Sequence, residues 1–328
     1  MKMKRSIMYI LTMLIIAASC TKPARVSEAT PMLMNAMTKS PTGLENDTPV
    51  FLFWLDTDFG SIAEGVYTAP YLEAWPYQGI DAYKVNTYDT GKKYPDNDQE
   101  VYCTGYFPAS LIIDDEADQR SWTKLSVPEE GIGTLDVMVA PKHIIGKQSS
   151  HFETKKVPLE FIHAQSKVTF MAKMGTDMAQ NRYLRNIKVT IPGSELMSSL
   201  KWQSGRYIAA QTADEAEPVV LKDPSTTQLD PSQKNREIGN VYIYPGKQSL
   251  KIEVEVEMSD SPLFTESEII MMKTEVGFNL NDGYGNALRE NDAYEIILVI
   301  NYDSIALKGR KAEWQEGGGL LIPIYPNN

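Results

Sequence analysis

From Val50 onward, apolar residues recur at every second position in short runs. VFLFWLD (50–56), GVYTAPYLEAW (65–75), DAYKVNTYD (81–89), EVYCTGYF (100–107) and TLDVMVA (134–140) are rich in β-branched and aromatic residues, the mark of strands. Clusters of Gly, Pro, Asn and Asp separate them, densest in YDTGKKYPDND (88–98), DDEADQ (114–119) and PEEGIG (128–133), which read as turns. No stretch carries a long 3.6-residue apolar period. One sandwich over roughly 48 to 150 is expected.

A second series starts near Val157. VPLEFIHAQSKVTFMAKM (157–174) reads as one long strand, and YLRNIKVTIP (183–192) continues the series. The polar stretch 213–240 reads as an exposed loop with one short strand at Val219 to Leu221. SLKIEVEVEM (249–258) has the clearest alternation. Leu250, Ile252, Val254, Val256 and Met258 share one face, and Lys251, Glu253, Glu255 and Glu257 share the other. Period two with a charged face predicts a strand of an antiparallel sheet with one side in water. AYEIILVINYDSIALKGRKAEW (293–314) is apolar on both faces near Ile296 to Ile300, which places it centrally in a sheet. The pattern predicts an all-β chain with two sandwiches in tandem and a boundary near 150 to 157.

Before the strands the pattern changes. Lys2, Lys4 and Arg5 precede a short apolar run, Ile7 to Ile16, and Ala17, Ala18 and Ser19 lead into Cys20. This is the layout of a secretory signal peptide, too short to span a bilayer. A cysteine after the small residues resembles the bacterial lipobox, which makes Cys20 the expected lipidation site and the mature N-terminus. Two or more acyl chains hold a protein firmly on a membrane, because each buried methylene contributes about 0.8 kcal/mol. Residues 21–47 form a proline-broken lead-in around one apolar patch, Met32, Leu33 and Met34, which could be a tether or an edge strand. The chain carries 43 acidic against 32 basic residues, a net charge of −11, and three of the positive charges sit in the leader. That balance excludes nucleic acid as a partner.

Chemistry-bearing residues form no catalytic set. With Cys20 lipidated, Cys103 stands alone, so a disulfide and a cysteine zinc site are excluded and a small buried hydrophobe is expected. His143, His151 and His163 lack metal-ligand spacing and read as structural. Asn279, Asn281 and Asp282 read as a hairpin turn rather than a calcium loop. Asp114, Asp115, Glu116 and Asp118 read as a solvated acidic loop. Trp54, Trp75, Trp122, Trp202 and Trp314 are scattered, and core burial is their default. No cofactor, no metal and no enzymatic activity are expected.

Four stretches in order carry a resemblance. They are the leader ending at Cys20, TYDTGKKYPDNDQEVYCTGYFP (87–108), VPLEFIHAQSKVTF (157–170), and VYIYPGKQSLKIEVEVE followed by NDAYEIILVINYDSIALKGRKAEWQEGG. Together the chain resembles the fimbrillin family of Bacteroidales, subunits of type V pili. The resemblance implies a transthyretin-like β-sandwich in each of two domains. It also implies assembly by strand exchange, in which proteolysis removes an N-terminal segment and a strand of another subunit fills the groove. Lys39 stands where many relatives carry the processed arginine, and Arg25 is the other basic candidate. The apolar tail Leu320, Leu321, Ile322, Ile324 and Tyr325, behind the joint Gly317 to Gly319, is a candidate donor or the last strand of its own domain.

The expected organisation is a signal peptide (1–19), a lipidated lead-in (20–47), an N-terminal sandwich (48–154) and a C-terminal sandwich with its tail (155–328). The resemblance implies a structural or adhesive tip subunit, lipid-anchored to the outer membrane through Cys20 and then at the cell surface. Its implied partners are other fimbrillin subunits and a host or bacterial surface receptor. The alternatives are a surface glycan-binding lipoprotein, which needs a platform of exposed tryptophans, and a secreted hydrolase, which needs converging carboxylates or histidines.

Overall fold

The computed structural model describes residues 31–38, 51–56, 71–76, 86–108, 110–114, 124–152, 159–176, 182–203, 206–212, 216–223, 235–277, 287–302 and 304–312. These form strands and two single 3₁₀ turns, with no α-helix among them, as the period-two pattern requires. The first ten strands are β1 (Pro31–Thr38), β2 (Phe51–Asp56), β3 (Tyr71–Pro76), β4 (Asn86–Lys93), β5 (Val101–Phe107), β6 (Ile112–Asp114), β7 (Lys124–Ser126), β8 (Met138–Val139), β9 (Ile144–Gly146) and β10 (Leu159–His163). The second ten are β11 (Ser166–Met174), β12 (Tyr183–Ile191), β13 (Met197–Gln203), β14 (Arg206–Gln211), β15 (Val219–Lys222), β16 (Arg236–Ile243), β17 (Ser249–Ser259), β18 (Glu268–Gly277), β19 (Ala293–Ile300) and β20 (Ile305–Ala312).

Two four-stranded sheets, β16-β11-β19-β20 and β15-β12-β17-β18, enclose the larger core. Leu250, Ile252, Val254, Val256 and Met258 of β17 are at most 3% exposed and meet Phe170, Val189, Ile296 and Leu298. Each such side chain contributes about 1.5–3 kcal/mol on burial, so this alternation fixes which face of β17 turns inward. β19 is central, parallel to β11 and antiparallel to β20, as its two apolar faces predict. The short strand expected in the polar loop is β15, paired with β12.

The first half is organised differently from an open pair of sheets. Its large sheet runs β2-β3-β4-β1-β10-β8-β5-β9, and β5 also pairs with β2. Seven strands therefore close into a ring, with β9 attached to β5. Closure removes free edges, which an open sheet must otherwise protect. A second sheet, β14-β13-β7-β6, lies against it. The smaller core joins Tyr102, Tyr106, Leu125, Val127 and Val139 to Met197, Leu200 and Tyr207. The hairpin β13–β14 thus follows β12 in the chain yet completes the core of the first half.

The run 157–174, read as one strand, is two. β10 pairs with β8 in the ring, and β11 pairs with β16 and β19 in the other unit. The break falls at Ala164 and Gln165, both buried. Gln165 Oε1 accepts from Val137 N at 3.0 Å, and its carbonyl accepts from Asn291 N at 3.1 Å. Through its side-chain and main-chain oxygens this one buried residue satisfies donors from both units, which fixes the chain path where it crosses between them. Two further contacts bind the units. Ile132 packs against both cores, and the Gly133 carbonyl accepts from Tyr242 N at 2.9 Å. Gly133 has φ +73°, and a Cβ there would meet Val219 at 2.8 Å, so only glycine fits.

Candidate assembly site

The lead-in patch Met32–Met34 lies within β1, and β1 is not at an edge. It sits between β4, antiparallel, and β10, parallel. Leu33 to Ala36 face Asp89 to Asn86 in register, and Ala36, Met37 and Thr38 face Leu159, Glu160 and Phe161. The segment YDTGKK, read as a turn, continues β4 instead. Its turn-forming residues are absorbed by an irregularity: Leu33 faces Asp89 but Pro31 faces Lys93, leaving Thr90, Gly91 and Lys92 as the bulged stretch. Pairing with β1 overrides the local turn preference.

Both neighbours of β1 are held independently of it. β4 pairs with β3 on its other side, through Trp75–Asp89 and Pro76–Tyr88. Past its end, the Tyr94 hydroxyl accepts from Phe152 N at 2.6 Å, and the Tyr94 ring stacks on His151 at 4.9 Å. Asp98 then accepts from Ser149 N at 2.7 Å and Ser149 Oγ at 2.8 Å, with Lys147 Nζ at 3.2 Å. These Ser149 hydrogen bonds, and then Lys147, hold the Asp98 carboxyl below its ordinary value. β10 is anchored by Leu159 and Phe161, both fully buried, and by its pairing with β8. At its end His163, 1% exposed, places Nδ1 2.6 Å from Asp136 Oδ1. Without β1 the ring would keep both walls of a slot, each presenting unpaired backbone donors and acceptors.

β1 ends at Thr38, one residue before Lys39. Lys39 itself, Arg25, Cys20 and the tail residues Leu320, Leu321, Ile322, Ile324 and Tyr325 lie outside the described residues. So do Asn279, Asn281, Asp282, Asp115, Glu116, Asp118, Trp122 and Trp314, and the side chains of Asp114, Trp54, Trp75 and Trp202.

The three histidines are dispersed. His143 meets the Tyr102 ring edge-on at 5.7 Å, and burial lowers its pKa. His151 stacks on Tyr94, and His163 pairs with Asp136. No group of three potential metal ligands exists among the described residues, and no described helix is long and apolar enough to cross a membrane. Cys103 is fully buried on β5, where burial raises its thiol pKa well above the ordinary value. Sequence reading found the extended lead-in and the basic residue after it. It missed the two walls of the slot, because neither 86–93 nor 159–163 carries a local signal for pairing with 31–38.

A family model described as fimbrillin-like matches residues 38–285. Among solved structures, a fimbrial protein from Bacteroides vulgatus is similar over 86% of this chain and 99% of its own, at 10% identity and a TM-score of 0.55. A candidate cell adhesion protein from Bacteroides uniformis is similar over 87% and 98%, at 11% identity and a TM-score of 0.54. At such identities the likeness is one of fold. No protein with a curated description matches the chain in sequence.

Proposed function

We propose, since this chain belongs to the fimbrillin-like family, that it is a structural or tip subunit of a cell-surface pilus and assembles with other fimbrillin subunits by strand exchange at the β1 slot. The observation that carries the reading is the place of β1. It is one stave of a closed ring, its neighbours are anchored without it, and a lysine follows its last residue. Cutting after Lys39 would free the strand. The exposed backbone of β4 and β10 would then bind an extended segment by β-augmentation, with main-chain hydrogen bonds giving affinity. A segment that copies β1 must run antiparallel to β4 and parallel to β10. Leu320, Leu321, Ile322, Ile324 and Tyr325 of another copy are the candidate donor, although Pro323 withholds one backbone donor from any ladder. Lipidation of Cys20 would deliver the subunit to the outer membrane before assembly. The role is mechanical and adhesive, with no catalysis.

The test is to isolate assembled surface material and sequence its N-terminus. A start just after Lys39 is expected, and material that retains Pro31–Thr38 throughout would refute strand removal. In purified protein, trypsin cleavage near Lys39 should leave a resistant body that oligomerises. Leu321→Asp should prevent this; unchanged oligomers would exclude the tail as donor. Fatty-acid labelling that marks the wild type and spares Cys20→Ser tests the anchor separately.

A further inference from the structure

The second-half sandwich has four edge strands, and three carry devices that discourage pairing. β15 has four residues, β16 has a bulge opposite Phe170 and Met171, and β20 presents Lys308, Arg310 and Lys311. β18 is neither short nor bulged, and the charges it exposes, Lys273 and Glu275, are of both signs. It is ten residues long, pairs with β17 without any register shift, contains no proline and is unpaired on its other side among the described residues. Its outward face includes Ile269, 63% exposed, and Met271, 56% exposed. A long, regular edge that exposes two large apolar side chains beside charges of both signs is a template for another strand of complementary charge.

The charges on that face specify which strand. In the β17–β18 ladder Lys251 stands opposite Glu275, and Glu253 stands opposite Lys273, with Lys273 Nζ 2.8 Å from Glu253. We propose that β18 pairs antiparallel with β18 of a second copy of this chain, about a two-fold axis through Thr274. Lys273 of each copy then faces Glu275 of the other. Across four strands one row reads Lys251, Glu275, Lys273, Glu253, and the next reads Glu253, Lys273, Glu275, Lys251. Charge alternates along both rows and every neighbour is of opposite sign. On the inward face Met272 of each copy meets Val276 of the other, and on the outward face Met271 meets Gly277, which offers no side chain to obstruct it. A register shifted to pair Ile269 with Met271 has none of these charge pairs. The contact joins neighbouring copies side by side and uses neither β1 nor the tail, so it is independent of strand exchange.

The test uses the full chain in detergent, followed by sedimentation. Wild type is expected to dimerise reversibly. Lys273→Glu and Glu275→Lys should each weaken the dimer by about tenfold or more, because each places like charges opposite one another twice. An equimolar mixture of the two variants should recover dimers. One copy then presents carboxylates at both positions and the other presents ammonium groups at both, so each facing pair is again of opposite sign. That recovery also shows that both variants are folded. Leu321→Asp should leave the dimer unchanged, which separates it from tail-mediated assembly. Wild type that stays monomeric to about 0.1 mM, the range of weak interfaces, would overturn the proposal. So would single variants that dimerise like wild type, or a mixture that dimerises no better than either variant alone.

Discussion

Leu200→Ala should loosen the first-half core, although residue 200 follows β12 of the other sandwich. Leu200 is 2% exposed on β13 and stands in register with Leu125 of β7, which is fully buried. Its neighbours in the core include Tyr102, Tyr106 and Val127. Truncation removes three carbons, worth about 2.4 kcal/mol in transfer at about 0.8 kcal/mol each. The cavity left behind adds to this, so a total of about 3–4 kcal/mol is expected. Val254→Ala is the matched control: it removes two carbons from a fully buried site in the other core and should cost about 2–3 kcal/mol. Hydrogen exchange read by mass spectrometry separates the two, because protection falls first in the unit whose opening has become easier. For Leu200→Ala the loss is expected in β5, β7 and β8, with β12, β17 and β19 protected as in wild type. For Val254→Ala the pattern should reverse. If Leu200→Ala deprotects β12 and β17 while β5 and β7 are unchanged, the hairpin does not belong to the first core. Equal loss everywhere would show that the two cores open as one unit and would refute the prediction.

Two further predictions concern titrating groups. Arg185 holds Glu257 with two hydrogen bonds of 2.6 Å, helped by Asn186 at 2.7 Å, and the Arg185 pair foremost lowers the carboxyl from 4.5 to about 2. A depressed carboxylate contributes stability that is complete above its unfolded value and is lost as pH falls through its folded value. Wild type should therefore lose stability relative to Glu257→Gln between pH 4.5 and about 2; parallel curves of urea midpoint against pH would refute this. Cys103 is fully buried with its thiol pKa raised by burial, so alkylation of native protein should be roughly a hundredfold slower than in urea. Rapid native labelling at Cys103 would show that β5 opens readily.

The lead-in shows how far sequence reading reaches into the assembly site. Met32–Met34 announced an extended segment, and Lys39 announced a basic residue behind it. Whether that segment lies at an edge or inside a sheet depends on residues 86–93 and 159–163. Backbone hydrogen bonds are nearly independent of side-chain identity, so no residue in 31–38 names its partner.

The alternation at 249–258 was legible by itself, and so was the all-β class. A strand half in water must place apolar residues at every second position, and that demand is local. The apolar character of 293–300 likewise pointed to an inner strand, and β19 lies between β11 and β20 with Ile297 and Val299 of its second face half-buried. Other features were settled only by the tertiary structure. Val157 to Met174 kept one strand-like pattern across a break that sends its two parts to different sheets, where Gln165 accepts hydrogen bonds from Val137 and Asn291 far along the chain. The hairpin 197–211 joined the other core, and the ring closed through β2 and β5. Periodicity reports which face of a strand is dry. Which strands share that dry interior is decided by packing between segments distant in sequence, where shape and unpaired backbone select the neighbour.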